Sequence, residues 1–222
     1  MGGYEVARWR VMGPVALGKF ITLEGGEGVG KSTQATLLAD ALRARGIEVV
    51  VTREPGGTAG AEAIRDLLMT GSEDRWSARA EALLFAAARA DHVEKVIRPA
   101  LERGAWVVCD RFIDSTRAYQ GGAGGVSDDD ILALHQVGSD GLMPDRTLLM
   151  HLPIDQSAAR ASARPQGNAD RFGARGLEYH NQLNRAFDTL VTSETARFRI
   201  IDAAGSIDSV TPQLLAAVED LL

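Results

Sequence analysis

The chain is 222 residues long, 45% hydrophobic and 24% charged, which suits one large soluble domain or at most two small ones and needs no metal or disulfide to build a core. A net charge of -6 argues against a general nucleic-acid coat or an anionic membrane surface as partner, local basic clusters aside, and no apolar run approaches the ~20 residues of a membrane span. The single cysteine, Cys109, allows no intrachain disulfide, so the chain is expected in a reducing compartment, the cytoplasm.

In chain order, Met1 to Gly18 lacks the apolar stretch of a signal peptide and reads as a disordered leader or an upstream start, with Met12 a second candidate start. Lys19 to Glu24 is a short apolar strand. A glycine-rich turn leads into a helical pattern from about Lys31 to Arg45, closed by Gly46. Ile47 to Thr52 is a β-branched second strand, and Pro55-Gly56-Gly57 breaks the chain into a loop. Ala61 to Met69 reads as a helix with Ile64, Leu67 and Leu68 on one side. A long helical stretch, Ala78 to Arg103, is expected to bend near Pro99. Ala105 to Cys109 is a buried strand, Gly121 to Gly125 a loop, and Asp128 to Val137 a helix. Arg146 to Leu152 is the fourth strand. Ala158 to Arg164 reads as a helix end, and Arg164 to Gly176 as a mobile loop. Leu177 to Thr192 is helical, Arg199 to Asp202 is the fifth strand, and Val210 to Leu222 the last helix. Strands alternating with helices predict an α/β domain with a parallel sheet covered by helices on both faces, one domain over 19–222. That alternation says nothing about chemistry.

Gly25-Gly26-Glu27-Gly28-Val29-Gly30-Lys31-Ser32 matches G-x-x-x-x-G-K-[ST], with a strand before it and a helix after it. Backbone N–H groups in such a loop can surround a polyphosphate, and the helix N-terminus favours anions. Lys31 is placed to reach the β/γ-phosphates and the Ser32 hydroxyl to ligate Mg²⁺. Thr33 lies one residue deeper and reads as ordinary helix. A nucleoside triphosphate with Mg²⁺ follows, but the loop serves hydrolases, switches, motors and kinases alike. Asp110 ends an apolar strand where a carboxylate can hold Mg²⁺ directly or through water, or cap a turn. Arg111 beside it can clamp a second phosphate. Thr52-Arg53-Glu54-Pro55-Gly56-Gly57-Thr58 ends the second strand at the same sheet edge, where ligands of open α/β sheets bind. Charges at such a strand end need ionic partners.

Taken with the phosphate loop, T-R-E-P-G-G-T, the Phe85/Arg89 pair, D-R-F-x-D-S-T and A-Y-Q-G-G, the chain from Lys19 onward resembles bacterial thymidylate kinases. That resemblance implies a five-stranded nucleoside-monophosphate kinase fold of the P-loop type, a homodimer, and transfer of the γ-phosphoryl of ATP to dTMP. It implies that Gly25 to Thr33 bind ATP, with Ser32 and Asp110 at the metal and Lys31 and Arg111 catalytic. Phe85 and Arg89, four apart on one helix face, would stack on thymine and donate to a base carbonyl. Base–aromatic stacking is worth about 1–3 kcal/mol. Read without the resemblance, Phe85 is a core residue and Arg89 a solvated helix charge. Arg65, Thr116 and Gln120 match further residues of the thymidine pocket, and Tyr119 would flank the sugar where a 2′-hydroxyl would clash. Glu27 matches the carboxylate that meets the 3′-hydroxyl, and Arg53 and Arg111 the pair that holds the acceptor phosphate.

Residues 160–175 match the family's lid. Some relatives carry a catalytic arginine in the phosphate loop, where this chain has Gly28, and correspondingly the lid carries Arg160, Arg164 and Arg171. Arg164 and Arg171 are the expected transition-state cations. All basic residues but Lys19, Lys31 and Lys95 are arginine; genome composition is the main reading of that bias, and arginine is also the side chain that grips phosphate in a bidentate fork. No N-K-x-D reads guanine, which argues against a GTPase switch. The four histidines are not metal-spaced and read as surface or satisfied residues, and Cys109 as packing.

Overall fold

A computed structural model describes residues 17–72, 74–153, 156, 157, 160, 172 and 175–222. The lid arginines Arg164 and Arg171 and the segment before Leu17 lie outside them. Five strands, β1 Phe20–Glu24, β2 Val49–Arg53, β3 Trp106–Asp110, β4 Arg146–His151 and β5 Phe198–Asp202, form one parallel sheet in the order β2-β3-β1-β4-β5. Strand β1 is central, and all five of its residues are buried, the polar Thr22 and Glu24 among them.

Successive side chains of a strand face opposite ways, and the sequence fills both faces. Ile21, Leu23, Trp106 and Val108 pack on one side with Leu38 and Leu42 of α1 (Lys31–Arg43) and with Val210 and Leu214 of the last helix. Phe20, Val107 and Cys109 pack on the other with Val93, Ile97 and Phe112. Cys109 is thus a packing residue, and burial raises its thiol pKa well above the ordinary value. Among the described residues no helix is long and apolar enough to cross a membrane.

The remaining helices are α2 (Ala59–Met69), α3 (Ala78–His92), α4 (Arg98–Glu102), α5 (Ile113–Thr116), α6 (Asp128–Ser139), α7 (Leu177–Ser193) and α8 (Ile207–Ala216). Four expectations shift. The long helical stretch is irregular before Pro99 rather than at it: a wide π-helical turn, Val93–Ile97, joins α3 to α4. Pro99 sits in the first turn of α4, where its missing N–H costs little. A second wide turn, Arg117–Gly122, continues α5 and takes in Gly121 and Gly122, so the glycine-rich loop starts later than composition suggests. Asp110 lies inside β3, paired in register with Leu23 and Arg53, and α8 begins at Ile207.

That register matters for function. Glu24, Arg53 and Asp110 end three neighbouring strands at the same carboxyl edge, and the loops that follow carry the glycines, Pro55 and Arg111.

Candidate active site

The glycine-rich loop leaves β1 under tight steric control. Gly25 has φ +133° and a Cβ there would come within 2.5 Å of the Met150 carbonyl; Gly30 has φ +93° immediately before α1. Both conformations favour glycine. The loop turns back so that the Lys31 ammonium donates to the carbonyls of Gly26 (2.7 Å) and Gly25 (3.2 Å). Burial, then the nearby Arg111 charge, pushes the Lys31 pKa down to about 8. Val29 packs into the core behind the loop and Thr33 is exposed on α1.

Ser32 Oγ donates to Asp110 Oδ2 at 2.5 Å, while Asp110 Oδ1 is buried with no hydrogen-bond partner. A carboxylate oxygen with spare lone pairs beside a hydroxyl suits a small hard cation that keeps most of its ligands from water and phosphate. Among the described residues no group of three or more His, Cys, Asp and Glu could hold a metal; the Ser32 hydroxyl and the Asp110 carboxylate are hard oxygen donors of the kind that fit a Mg²⁺ completed by phosphate and water.

Arg111 is the hinge of the site. Its φ of +71° is a left-handed conformation that a non-glycine residue adopts at a cost of about 1–3 kcal/mol. Five contacts hold it there. Its backbone N–H donates to Leu23 O at 3.0 Å, and its guanidinium donates to Gly25 O (2.9 Å), Ser115 Oγ (3.0 Å), Glu27 Oε1 (2.5 Å) and Tyr119 Oη (3.1 Å). Burial acts to lower its pKa, but Tyr119, Glu27, Asp110 and Glu24 together raise it, so the cation is secure. Behind it, Glu24 accepts from the Phe112 N–H (2.8 Å) and Ser115 Oγ (2.5 Å) and clamps the turn after β3. Burial and then Asp114 push the Glu24 carboxyl up to about 7.

The acceptor side is built on α2, α3 and α5. Arg53 reaches Glu62 with both carboxylate oxygens near 3 Å (2.9 and 3.0 Å) and is half exposed at the mouth. Arg65 donates to Pro55 O at 2.8 Å. Arg89 is 2% exposed; its Nε donates to Glu54 Oε2 (2.8 Å) and its Nη2 to Thr116 Oγ1 (2.9 Å). Glu54 also meets His92 Nδ1 (3.1 Å), whose Nε2 pairs with Thr52 Oγ1 (2.7 Å). Tyr119 Oη donates to Glu27 Oε1 at 3.2 Å, and Gln120 Nε2 to Glu81 Oε2 at 2.9 Å.

Many of these groups line one cleft of about 530 Å³, whereas Glu24, Thr52, Glu62, Glu81 and His92 support it from behind. Its lining includes Glu27, Gly28, Gly30, Lys31, Ser32, Asp110 and Arg111 together with Arg53, Arg65, Phe85, Arg89, Thr116, Tyr119 and Gln120; Tyr119, bonded to both Arg111 and Glu27, joins the two sets. Gly25 and Gly26 contribute carbonyls to Lys31 instead of lining it. Arg160 is turned away, donating to Ala203 O (2.9 Å) and Ala204 O (3.2 Å).

Sequence reasoning passed over Glu24, Glu81, Ser115 and Phe172, and left the partner of Glu54 open. A signal existed for Glu81: with Phe85 and Arg89 it recurs every fourth residue along α3, the spacing of one helix face. Phe172 lines the cleft 6.0 Å from the Phe85 ring, and no periodic pattern marks it.

The family model described as thymidylate kinase matches residues 23–214. Thymidylate kinase of Rhizorhabdus wittichii is 59% identical over 205 residues, covering 92% of this chain and 99% of that protein. That of Caulobacter vibrioides is 50% identical over 205 residues, covering 92% and 96%. The crystal structure of thymidylate kinase from Ehrlichia chaffeensis superposes with a TM-score of 0.72 at 31% identity, over 92% of this chain and 99% of that one. A match that spans both the glycine-rich loop and the Arg89 pocket, in relatives of nearly equal length, places the chain in the thymidylate kinase family.

Proposed function

We propose that the cleft is where two nucleotides meet end to end. The chain is an ATP-dependent kinase that phosphorylates dTMP to dTDP, and the roles of its residues follow from where each sits. The observation that carries the reading is the continuity of the cleft from Lys31 and Ser32 at one end, past Asp110 and Arg111, to Phe85, Arg89, Thr116 and Gln120.

The amides of Gly28 to Ser32 and the Lys31 ammonium bind the polyphosphate of ATP. Ser32 Oγ and Asp110 would hold Mg²⁺, which when bound neutralises charge on the phosphate oxygens. Arg53 and Arg111 hold the acceptor phosphate and offset the repulsion between two anions that must approach in line. That phosphate is already anionic at neutral pH, with a second pKa near 6, so no side chain has to act as general base. Phe85 stacks on the base, Arg89 donates to its carbonyl, Thr116 and Gln120 complete its polar edge, and Arg65 lines the pocket. Glu27 accepts the 3′-hydroxyl hydrogen bond. Tyr119, fixed by Arg111 and Glu27, occupies the side where a ribose 2′-hydroxyl would project. Arg164 and Arg171 of the 160–175 segment, outside the described residues, supply positive charge to the transferring phosphoryl group. Residues 19–222 act as one kinase domain, working as a homodimer in the cytoplasm.

A coupled assay with ATP, Mg²⁺ and dTMP, dUMP, UMP, dCMP, AMP and GMP as separate acceptors tests the reading. The highest kcat/KM is expected with dTMP; preference for another acceptor, or turnover of none, overturns it.

A further inference from the structure

Glu81 is a carboxylate with almost no access to water: it is 1% exposed, on the face of α3 that also carries Phe85 and Arg89. Burying such a charge is costly unless its lone pairs are used. Oε2 accepts from Gln120 Nε2 at 2.9 Å, and Oε1 accepts from Arg175 Nη2 at 3.3 Å. Arg175 is itself seated over the Tyr179 ring at 4.5 Å and the Phe172 ring at 5.1 Å, so the cation is held in place.

An ionised carboxylate can only accept hydrogen bonds, so the amide of Gln120 must face it with its NH₂ group. The carbonyl end of that amide is then committed to the opposite side. Gln120 is 1% exposed overall yet lines the cleft beside Thr116 and Tyr119, and its Oε1 meets no hydrogen-bond donor among the described residues. The donor in this neighbourhood is Arg89, anchored by Glu54 and Thr116.

We propose that Glu81 is a positioning residue for acceptor choice: it locks the Gln120 amide with its carbonyl oxygen toward the base, making Gln120 a hydrogen-bond acceptor for the N3–H of thymine and a poor match for cytosine, whose N3 is itself an acceptor. The proposal rests on the reading of the cleft as the dTMP site. It assigns discrimination to a residue that does not touch the base: a neutral amide that could turn either way is made single-valued by a fixed charge behind it. Two acceptors facing one another in a dry pocket repel, and a buried carbonyl left unpaired adds its own cost, so the wrong pyrimidine is rejected at the same atom that holds the right one.

Steady-state kinetics of the full chain with dTMP and dCMP test this in Glu81→Gln, Gln120→Ala and the double variant. Glu81→Gln keeps the shape of the side chain but can donate as well as accept, so Gln120 is free to turn. The ratio of kcat/KM for dTMP to that for dCMP is expected to fall about tenfold, with KM for ATP unchanged and no further fall when Glu81→Gln is added to Gln120→Ala. A fall in Gln120→Ala with a ratio within about twofold of the parent in Glu81→Gln overturns the proposal and leaves the dTMP site standing. Unchanged ratios in both single variants overturn the base pocket and the proposal with it. Additive losses in the double variant, or a matching rise in KM for ATP, make Glu81 a structural residue and overturn the proposal. Should Glu81→Gln not fold, Glu81→Asp, which keeps the charge but draws it back from the amide, must lower the ratio for the proposal to hold.

Discussion

Arg89 and Glu54 form an ion pair, Nε to Oε2 2.8 Å, with side chains only 2% and 4% exposed. One lies on α3 and the other just after β2, so the pair fastens α3, which lines the cleft, to the edge of the sheet. A guanidinium buried this deeply is tolerable only while its partner is present. Glu54→Ala therefore leaves Arg89 with the Thr116 hydroxyl and the Phe112 ring but no counter-charge, and strips His92 of its carboxylate. Urea unfolding should show a loss of about 3–5 kcal/mol. A loss under about 1 kcal/mol would mean that water or a new partner takes over the charge.

Lys31 makes its hydrogen bonds to loop carbonyls, and burial already disfavours its charge. Removing it should therefore cost little stability and much catalysis. Lys31→Ala is expected to lower kcat about 10²–10³-fold, the range for deleting one preorganised donor to transferring charge, while the melting temperature holds. A kcat within a few-fold of the parent would remove Lys31 from the transferring phosphates.

Ser32 and Asp110 make a different prediction. Asp110→Asn can still accept from Ser32 Oγ but loses the charge and one lone-pair-rich oxygen. The Mg²⁺ concentration giving half-maximal rate, measured at fixed ATP, should rise about 10–100-fold. An unchanged Mg²⁺ curve would assign Asp110 to the turn after β3 and nothing more.

How much of this was readable from residues alone depends on range. The glycine-rich loop, the strand ends and the Phe85–Arg89 spacing are local patterns, and each lands on the cleft. The parallel sheet follows from apolar strands alternating with helices, and the register that aligns Arg53 with Asp110 follows from their being the last residues of neighbouring strands. Partners far apart in sequence were not legible. Glu54 with Arg89 and Gln120 with Glu81 are separated by 35 and 39 residues, and only the fold brings them together; Ser32 and Asp110, 78 residues apart, are linked in the sequence only through the metal each is expected to hold. The two π-helical turns escaped because hydrophobic periodicity drifts by one residue there and the helix looks merely imperfect. Glu24 escaped because an acid at the end of an apolar strand reads as the polar residue that closes it, with nothing local to show that it is buried.

Glu24 carries the pH prediction. Its carboxyl is pushed from 4.5 up to about 7, chiefly by burial and then by Asp114, against the pull of Arg111 and the hydrogen bonds from Ser115 and the Phe112 amide. Between those pH values the folded chain holds a proton that the unfolded chain has released. The stability contributed by this group is thus full below about 4.5 and lost as pH rises through about 7. His135 runs the other way: burial pushes it from 6.5 down to about 4, so its contribution grows with pH over that interval. The two trends overlap in the parent, and a single melting curve cannot separate them. Glu24→Gln can, because a neutral amide of the same shape has no proton to release. The melting temperature of Glu24→Gln relative to the parent should climb between pH 5 and pH 8, as the parent alone takes on a buried charge. A difference that stays flat across that range would mean that Glu24 is already ionised in the folded chain at pH 5, with Arg111 outweighing the burial.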